Sequence, residues 1–132
     1  MEKMALTVIK QYMEGWKQNE LAKIIDSLAP DCLIIESHGP SYYGIDEVTD
    51  WFHFWLRANS TVQQWDIHTF YYLTKERIAF LQWDFACQSN NQYYAFPGMS
   101  IIKFVEQKIS FIQEYRMTHT AYSWNGIELK SS

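Results

Sequence analysis

Apolar positions in the first third of the chain recur with helical spacing. Leu6, Ile9, Met13 and Trp16 come three and four residues apart while Lys10, Glu14 and Lys17 fall between them, the period of a helix with one buried stripe. Asn19 can cap a second helix, whose stripe is Leu21, Ile24, Ile25 and Leu28 and which Pro30 and Asp31 would end. Residues 32–36 are mostly branched and read as a strand, after which Gly39 and Pro40 turn the chain into a short Tyr42–Tyr43 extension closed by Gly44. The helical period then returns: Val48, Trp51, Phe52 and Trp55 mark one face, with Asp46 as an N-cap and Glu47 in the first turn. Beyond Thr61 the pattern is strand-like over 62–72, 77–88, 93–105 and 108–119, with polar, turn-sized breaks at 74–76, 89–91 and 106–107. Such short breaks favour antiparallel hairpins in meander order.

Three N-terminal helices followed by a long antiparallel sheet predict an α+β domain with the helices on one side. Strands of this length twist and curl, and a curled sheet closed by a helix leaves a hollow cone. Ring content sharpens that expectation. In 132 residues there are six Trp, nine Tyr and eight Phe, and so many rings need an enclosed place. Trp16, Trp51, Trp55, Trp65 and Trp83 cannot all fill one small core, so at least two of them should frame a cavity. The length suits a single domain over 1–132.

A formal charge of -4 and the lack of a Lys/Arg run argue against nucleic acid and against an anionic membrane surface as partners. Neither a secretory leader nor an apolar stretch of spanning length is visible. Cys32 and Cys87 lack ligand-like spacing and read as buried free thiols, which fits a reducing cytoplasm. Phosphate loops, HExxH and GxSxG are absent, and no His, Cys, Asp or Glu group has metal-binding spacing, so neither a metal nor a cofactor is expected.

The candidate chemistry rests on carboxylates at inward positions. Glu36 and His38 share a strand face with Ile34, so Glu36 is either a base with its pKa raised by apolar walls or a carboxylate paired with His38 or Arg116. Glu114 and Arg116 share a face with Ile112, and Glu36 with Glu114 is the best available acid-base pair. Tyr12, on the flank of the first stripe, should be buried whether or not its hydroxyl reaches a ligand. If Trp65 faces in, Asp66 and His68 should face out or toward a partner subunit, and His53 and His119 should be solvated or locally paired.

The helix pair, the strand 31–36, the Gly39 turn, the Tyr43–Gly44 entry to the third helix and the closing strand 108–116 look like the SnoaL-like branch of the nuclear-transport-factor-2-like superfamily. The resemblance runs from about residue 4 to about residue 122 and leaves 123–132 as a tail that folds over the cone's mouth or frays. It implies a conical, cystatin-like α+β barrel with a deep pocket, often dimerised through its sheet. The superfamily includes isomerases, dehydratases, cyclases, epoxide hydrolases and many non-enzymes, so fold decides no reaction. Residues 36–44, 82–87 and 98–102 further resemble a bacterial subgroup of small proteins without an assigned activity.

Residue by residue, Glu36 falls on the general base of ketosteroid isomerases and Tyr12 on their phenol donor, while Ser100 stands where those enzymes carry a neutral aspartic acid. Glu114 resembles the water-activating acid in the last strand of limonene epoxide hydrolases, whose arginine-aspartate pair has no clean counterpart at 81–84. The resulting expectation is a cytoplasmic, homodimeric pocket protein for a small apolar or aromatic molecule. Trp16, His38, Trp51, Trp55, Trp65, Trp83, Ser100 and Arg116 would contact that ligand. Two alternatives stand beside it: a cofactor-free acid-base enzyme using Glu36, Glu114 and Tyr12, and a protein-association module.

Overall fold

A computed structural model describes residues 1–126. Its elements are α1 (Glu2–Gln18), α2 (Leu21–Asp26), β1 (Leu28–Ile35), β2 (Ser41–Tyr43), α3 (Gly44–Arg57), β3 (Thr61–Leu73), β4 (Ile78–Ser89), β5 (Gln92–Val105) and β6 (Lys108–Arg116). The six strands form one curved sheet in the order β2-β1-β6-β5-β4-β3. All neighbours pair antiparallel except β1 and β6, which run parallel. The α+β reading and the meander from β3 to β6 hold. The last strand ends at Arg116 rather than at 119; one residue on, Met117 stands opposite Pro97 in the same register and its N–H donates to the Pro97 carbonyl at 3.0 Å.

The buried face of α1 is Ala5, Ile9, Tyr12, Met13 and Trp16. Leu6 is only half-buried, so the stripe is rotated toward Tyr12 from where the large aliphatic residues alone would put it. The helix ends at Asn19, held in the left-handed region at φ 54, a conformation Asn tolerates better than most residues. Asn19 therefore terminates α1 instead of capping α2, and its amide bridges outward to Trp55 and Ser60. The sharp return is possible because residue 15 is glycine: a Cβ there would lie 2.6 Å from the Ile24 side chain.

Two further boundaries differ from the sequence expectation. The second helix stops at Asp26, and Leu28 and Pro30 belong to β1, beside a register shift between Leu28 and Leu33 that accommodates a proline lacking an N–H. Tyr43 and not Asp46 stands at the N-cap of α3, and the Glu47 carboxylate accepts the Tyr43 N–H at 2.8 Å.

The sheet's concave face is set by register. Facing rows run Val62–Cys87–Tyr94, then Trp65–Phe85–Phe96, then Ile67–Trp83–Gly98, then Phe70–Leu81–Ser100–Glu114. In β4 and β5 these positions alternate strictly, but in β3 they do not. Irregularities between Val62 and Gln64 and between Ile67 and Thr69 bring all four β3 residues to one face. Against that face pack α1 and, over β1 and β2, α3. The deepest core is Ile9, Ile24, Ile34, Val48, Ile109 and Ile112.

Candidate functional site

The space between the concave sheet and α1 and α3 is not filled. A cavity of about 450 Å³ remains, within the range of small-molecule sites. The indoles of Trp16, Trp51, Trp55, Trp65 and Trp83 all border it. Ring contacts run unbroken from Tyr42 through Trp51, Trp16 and Tyr12 to Trp65, and on to Phe85 and Phe96. Tyr42 lies flat on Trp51, centroids 4.1 Å apart and planes 3° apart. Two indoles are pinned: Trp55 donates to Asn19 at 3.0 Å and Trp83 to Ser100 at 2.9 Å. Those of Trp16 and Trp65 are buried without a hydrogen bond of normal geometry among the described residues, the Trp16 N–H lying toward the Tyr12 hydroxyl.

Two carboxyl groups enter this apolar space side by side. Ile34 pairs with Ile112 and Ile35 with Gln113 across the parallel β1–β6 ladder. Continued one step past that last pair, the register brings Glu36 toward Glu114, whose carboxyl is influenced by the Glu36 charge. Both border the cavity. Glu36 accepts a hydrogen bond from the Tyr42 hydroxyl at 2.7 Å. Glu114 has no hydrogen bond or ion pair among the described residues; the ion pairs found there, Lys17–Glu14 and Lys23–Glu20, lie on helix surfaces.

Their environments set different proton affinities. Burial raises Glu36 above the ordinary carboxylate value, with the Tyr42 hydroxyl and then His38 pulling the other way. Burial, and secondarily the Glu36 charge, push Glu114 up to about 8. Part of the Glu114 side chain remains accessible through the cavity, while protein encloses the carboxyl elsewhere. The Tyr12 phenol is likewise raised by burial and then by Glu114, so it stays protonated and can only donate or accept a hydrogen bond. Glu114 at neutral pH is therefore mainly a neutral acid, and Glu36 carries the stronger support for a charge.

Of the residues singled out from sequence, Tyr12, Trp16, Glu36, His38, Trp51, Trp55, Trp65, Trp83 and Glu114 all line this cavity, with His38 an exposed residue. Two expectations are corrected. Ser100 faces inward but lies below the cavity, on a void of about 10 Å³, with its hydroxyl occupied by Trp83. Arg116, at the end of β6, is exposed and sits over the Phe96 ring at 4.5 Å, so it pairs with neither carboxylate. Asp66, His68 and His53 are exposed, as expected. Both cysteines are buried free thiols; Cys87 borders the cavity, where burial and then Glu36 push its thiol up to about 11.

Sequence reasoning missed Tyr42, Phe85 and Phe96 as wall residues. For Tyr42 the signal lies in the hairpin: Tyr42 stands opposite Ile34, so it shares the face that carries Glu36. That pairing depends on a turn register the local pattern does not specify. No group of three metal-ligating side chains occurs among the described residues, and no helix there is long and apolar enough to cross a membrane. Residues 117–126 form no helix or strand, and the rest of the expected tail, 127–132, lies outside the described residues.

The model of the SnoaL-like domain family matches residues 9–112. No curated protein matches the chain. Several solved structures share its shape. A protein of Xanthomonas campestris pv. campestris described as a candidate polyketide cyclase is 13% identical, with 86% of this chain and 90% of that chain covered and a TM-score of 0.70. An LEH-like epoxide hydrolase of M. tuberculosis is 9% identical over 88% and 84%, TM-score 0.76. A Methylobium petroleophilum protein of unknown function with a cystatin-like fold is 17% identical over 96% and 82%, TM-score 0.71. At such identities the likeness is one of fold.

Proposed function

The chain belongs to the SnoaL-like domain family, and on that premise we propose that it is a single-domain small-molecule-binding protein whose ligand is enclosed by the indole walls and meets the Glu36–Glu114 pair at its polar end. The observation that carries this is the cavity itself. It has an apolar, aromatic lining of ligand size into which two carboxyl groups project with no lysine or arginine beside them among the described residues. A protein serving only its own stability would gain by filling such a space. Native mass spectrometry of protein purified from its own host should show a retained small molecule, released by unfolding. If it shows none, and small aromatic probes leave the tryptophan emission unchanged, the reading is wrong.

A second reading, acid-base catalysis, is favoured by one specific feature. The two carboxyl groups share a cavity but differ in environment, Glu36 stabilised as a charge by Tyr42 and Glu114 holding its proton to about 8. Unequal neighbouring acids of this kind can remove a proton at one point of a bound molecule and return one at another. Tyr12 would donate a hydrogen bond to developing negative charge. Deuterium exchange next to the carbonyl of cyclic enone probes, followed by NMR, tests it. Glu36→Gln should slow exchange by about a hundredfold or more, and an unaffected rate would leave only binding.

We further place the protein in the cytoplasm, where two free thiols persist. We also infer a homodimer formed through the convex sheet face, which exposes Tyr71, Leu73 and Tyr115. Sedimentation should give twice the chain mass. A purely associative role would leave the cavity and its carboxyl pair without a use.

A further inference from the structure

The electrostatics of the cavity constrain the ligand more than its size does. Glu36 and Glu114 are the acidic side chains on its wall, and no lysine or arginine lines it among the described residues. The nearest guanidinium along the sheet, Arg116, is turned onto Phe96. His38, at an exposed position, is the one other ionisable group of basic character in the lining. Enclosed carboxyl groups need either their protons or a cation, since an isolated buried charge is costly. Among the described residues the lining supplies no lysine or arginine, and the one basic group that acts on Glu36, His38, is at an exposed position.

The remaining wall is aromatic. Trp16, Tyr42, Trp51 and Trp55 form a contiguous group next to the Glu36 side, through contacts of 4.1 to 6.1 Å between ring centroids. Aromatic faces carry negative partial charge and attract large, weakly hydrated cations. A hard metal ion would want six or more oxygen ligands and would find two carboxyl groups among rings. An anion would meet the Glu36 carboxylate and ring faces of its own sign, and a neutral apolar molecule would leave the Glu36 charge unmatched.

We propose that the cavity is built for an organic cation, an amine or quaternary ammonium on an apolar body, with its nitrogen held against Glu36 and Glu114 beside the rings of Trp16, Tyr42, Trp51 and Trp55. This rests on the reading of the cavity as a ligand site and adds the sign of the ligand's charge.

Three probes of nearly one shape separate the possibilities by calorimetric titration at neutral pH: (4-hydroxyphenyl)trimethylammonium, its neutral carbon isostere 4-tert-butylphenol, and the anion 4-hydroxybenzenesulfonate. The cation should bind about tenfold or more tightly than the phenol, and the sulfonate should show no binding heat. In the Glu36→Gln/Glu114→Gln double variant, with folding checked by circular dichroism, the preference for the cation over the phenol should disappear. If that variant does not fold, Glu36→Gln alone must reduce the preference by about threefold or more. A phenol bound as well as the cation, or a preference that survives the substitutions, overturns the charge assignment and leaves the ligand site standing. Absence of binding by both cation and phenol to the folded protein overturns both.

Discussion

Replacing Glu114 by glutamine should make the protein more stable, and increasingly so as the pH rises. The carboxyl has an ordinary value of 4.5 and is pushed up to about 8 in the folded protein, mainly by burial and then by Glu36. Between those values the folded chain keeps a proton that the unfolded chain has released, so stability falls as pH rises through that window and levels off above it. At about 1.4 kcal/mol for each unit, the full cost above pH 8 is roughly 5 kcal/mol. Because the side chain is partly accessible through the cavity, solvent screening reduces this to roughly 2 to 3 kcal/mol.

Glutamine keeps the shape and cannot ionise, so its own stability should not carry this slope. Urea denaturation of wild type and Glu114→Gln at pH 5, 7 and 9, read by tryptophan emission and extrapolated linearly, should show a gap near zero at pH 5 that widens to the stated size by pH 9. A gap independent of pH, or one that turns in favour of wild type at high pH, would mean that Glu114 is ionised and partnered when folded. The account of the cavity as an enclosure that offers Glu114 no countercharge would then fail.

Tyr42→Phe keeps the ring on Trp51 but removes the donor to Glu36. It should cost about 1 kcal/mol at pH 8 and much less at pH 4, where Glu36 is protonated in either state; the same denaturation series measures it. Asn19→Ala loses the bonds to Trp55 and Ser60 and places a Cβ-bearing residue at φ 54 without amide support, for a loss of about 2 kcal/mol. Asn19→Gly should recover about 1 kcal/mol of that in thermal unfolding, with Trp55 emission altered in both. Gly98→Ala puts a Cβ 2.5 Å from both the Trp83 indole and the Tyr115 carbonyl. It should destabilise by about 3 kcal/mol and weaken probe binding in the titrations above; an unaltered melting temperature would show that the wall at Trp83 is looser than it looks.

Much of the fold could be read along the chain because period is local. The 3.6-residue spacing around Ile9 and Val48 and the alternation after Thr61 each reflect one face turned to a core, and the inward positions of Ile34 and Ile112 carry Glu36 and Glu114 with them. Element ends were less legible. Asn19 is as good a helix start as a helix stop by composition, and the close pass of Gly15 against Ile24 made it the stop. Pro30 reads as a breaker, yet the irregular pairing of β1 with β6 accommodates it.

By itself, the sequence determined the order of elements, the ring-rich interior and the two acids facing it, since each follows from which residues can leave water on a given face. Only the tertiary structure decided that those acids are neighbours. Their adjacency comes from the parallel register of two strands whose first residues are 80 positions apart in the chain, and no local pattern encodes such a register. The same holds for what each polar group finds there. Ser100 and Arg116 have the right period to face a ligand, but Trp83 takes one and Phe96 the other. Tyr42, with no mark of its own, is brought by a hairpin onto Glu36. Facing inward is a property of a residue's own strand; meeting a partner depends on the depth and pairing of the strand beside it.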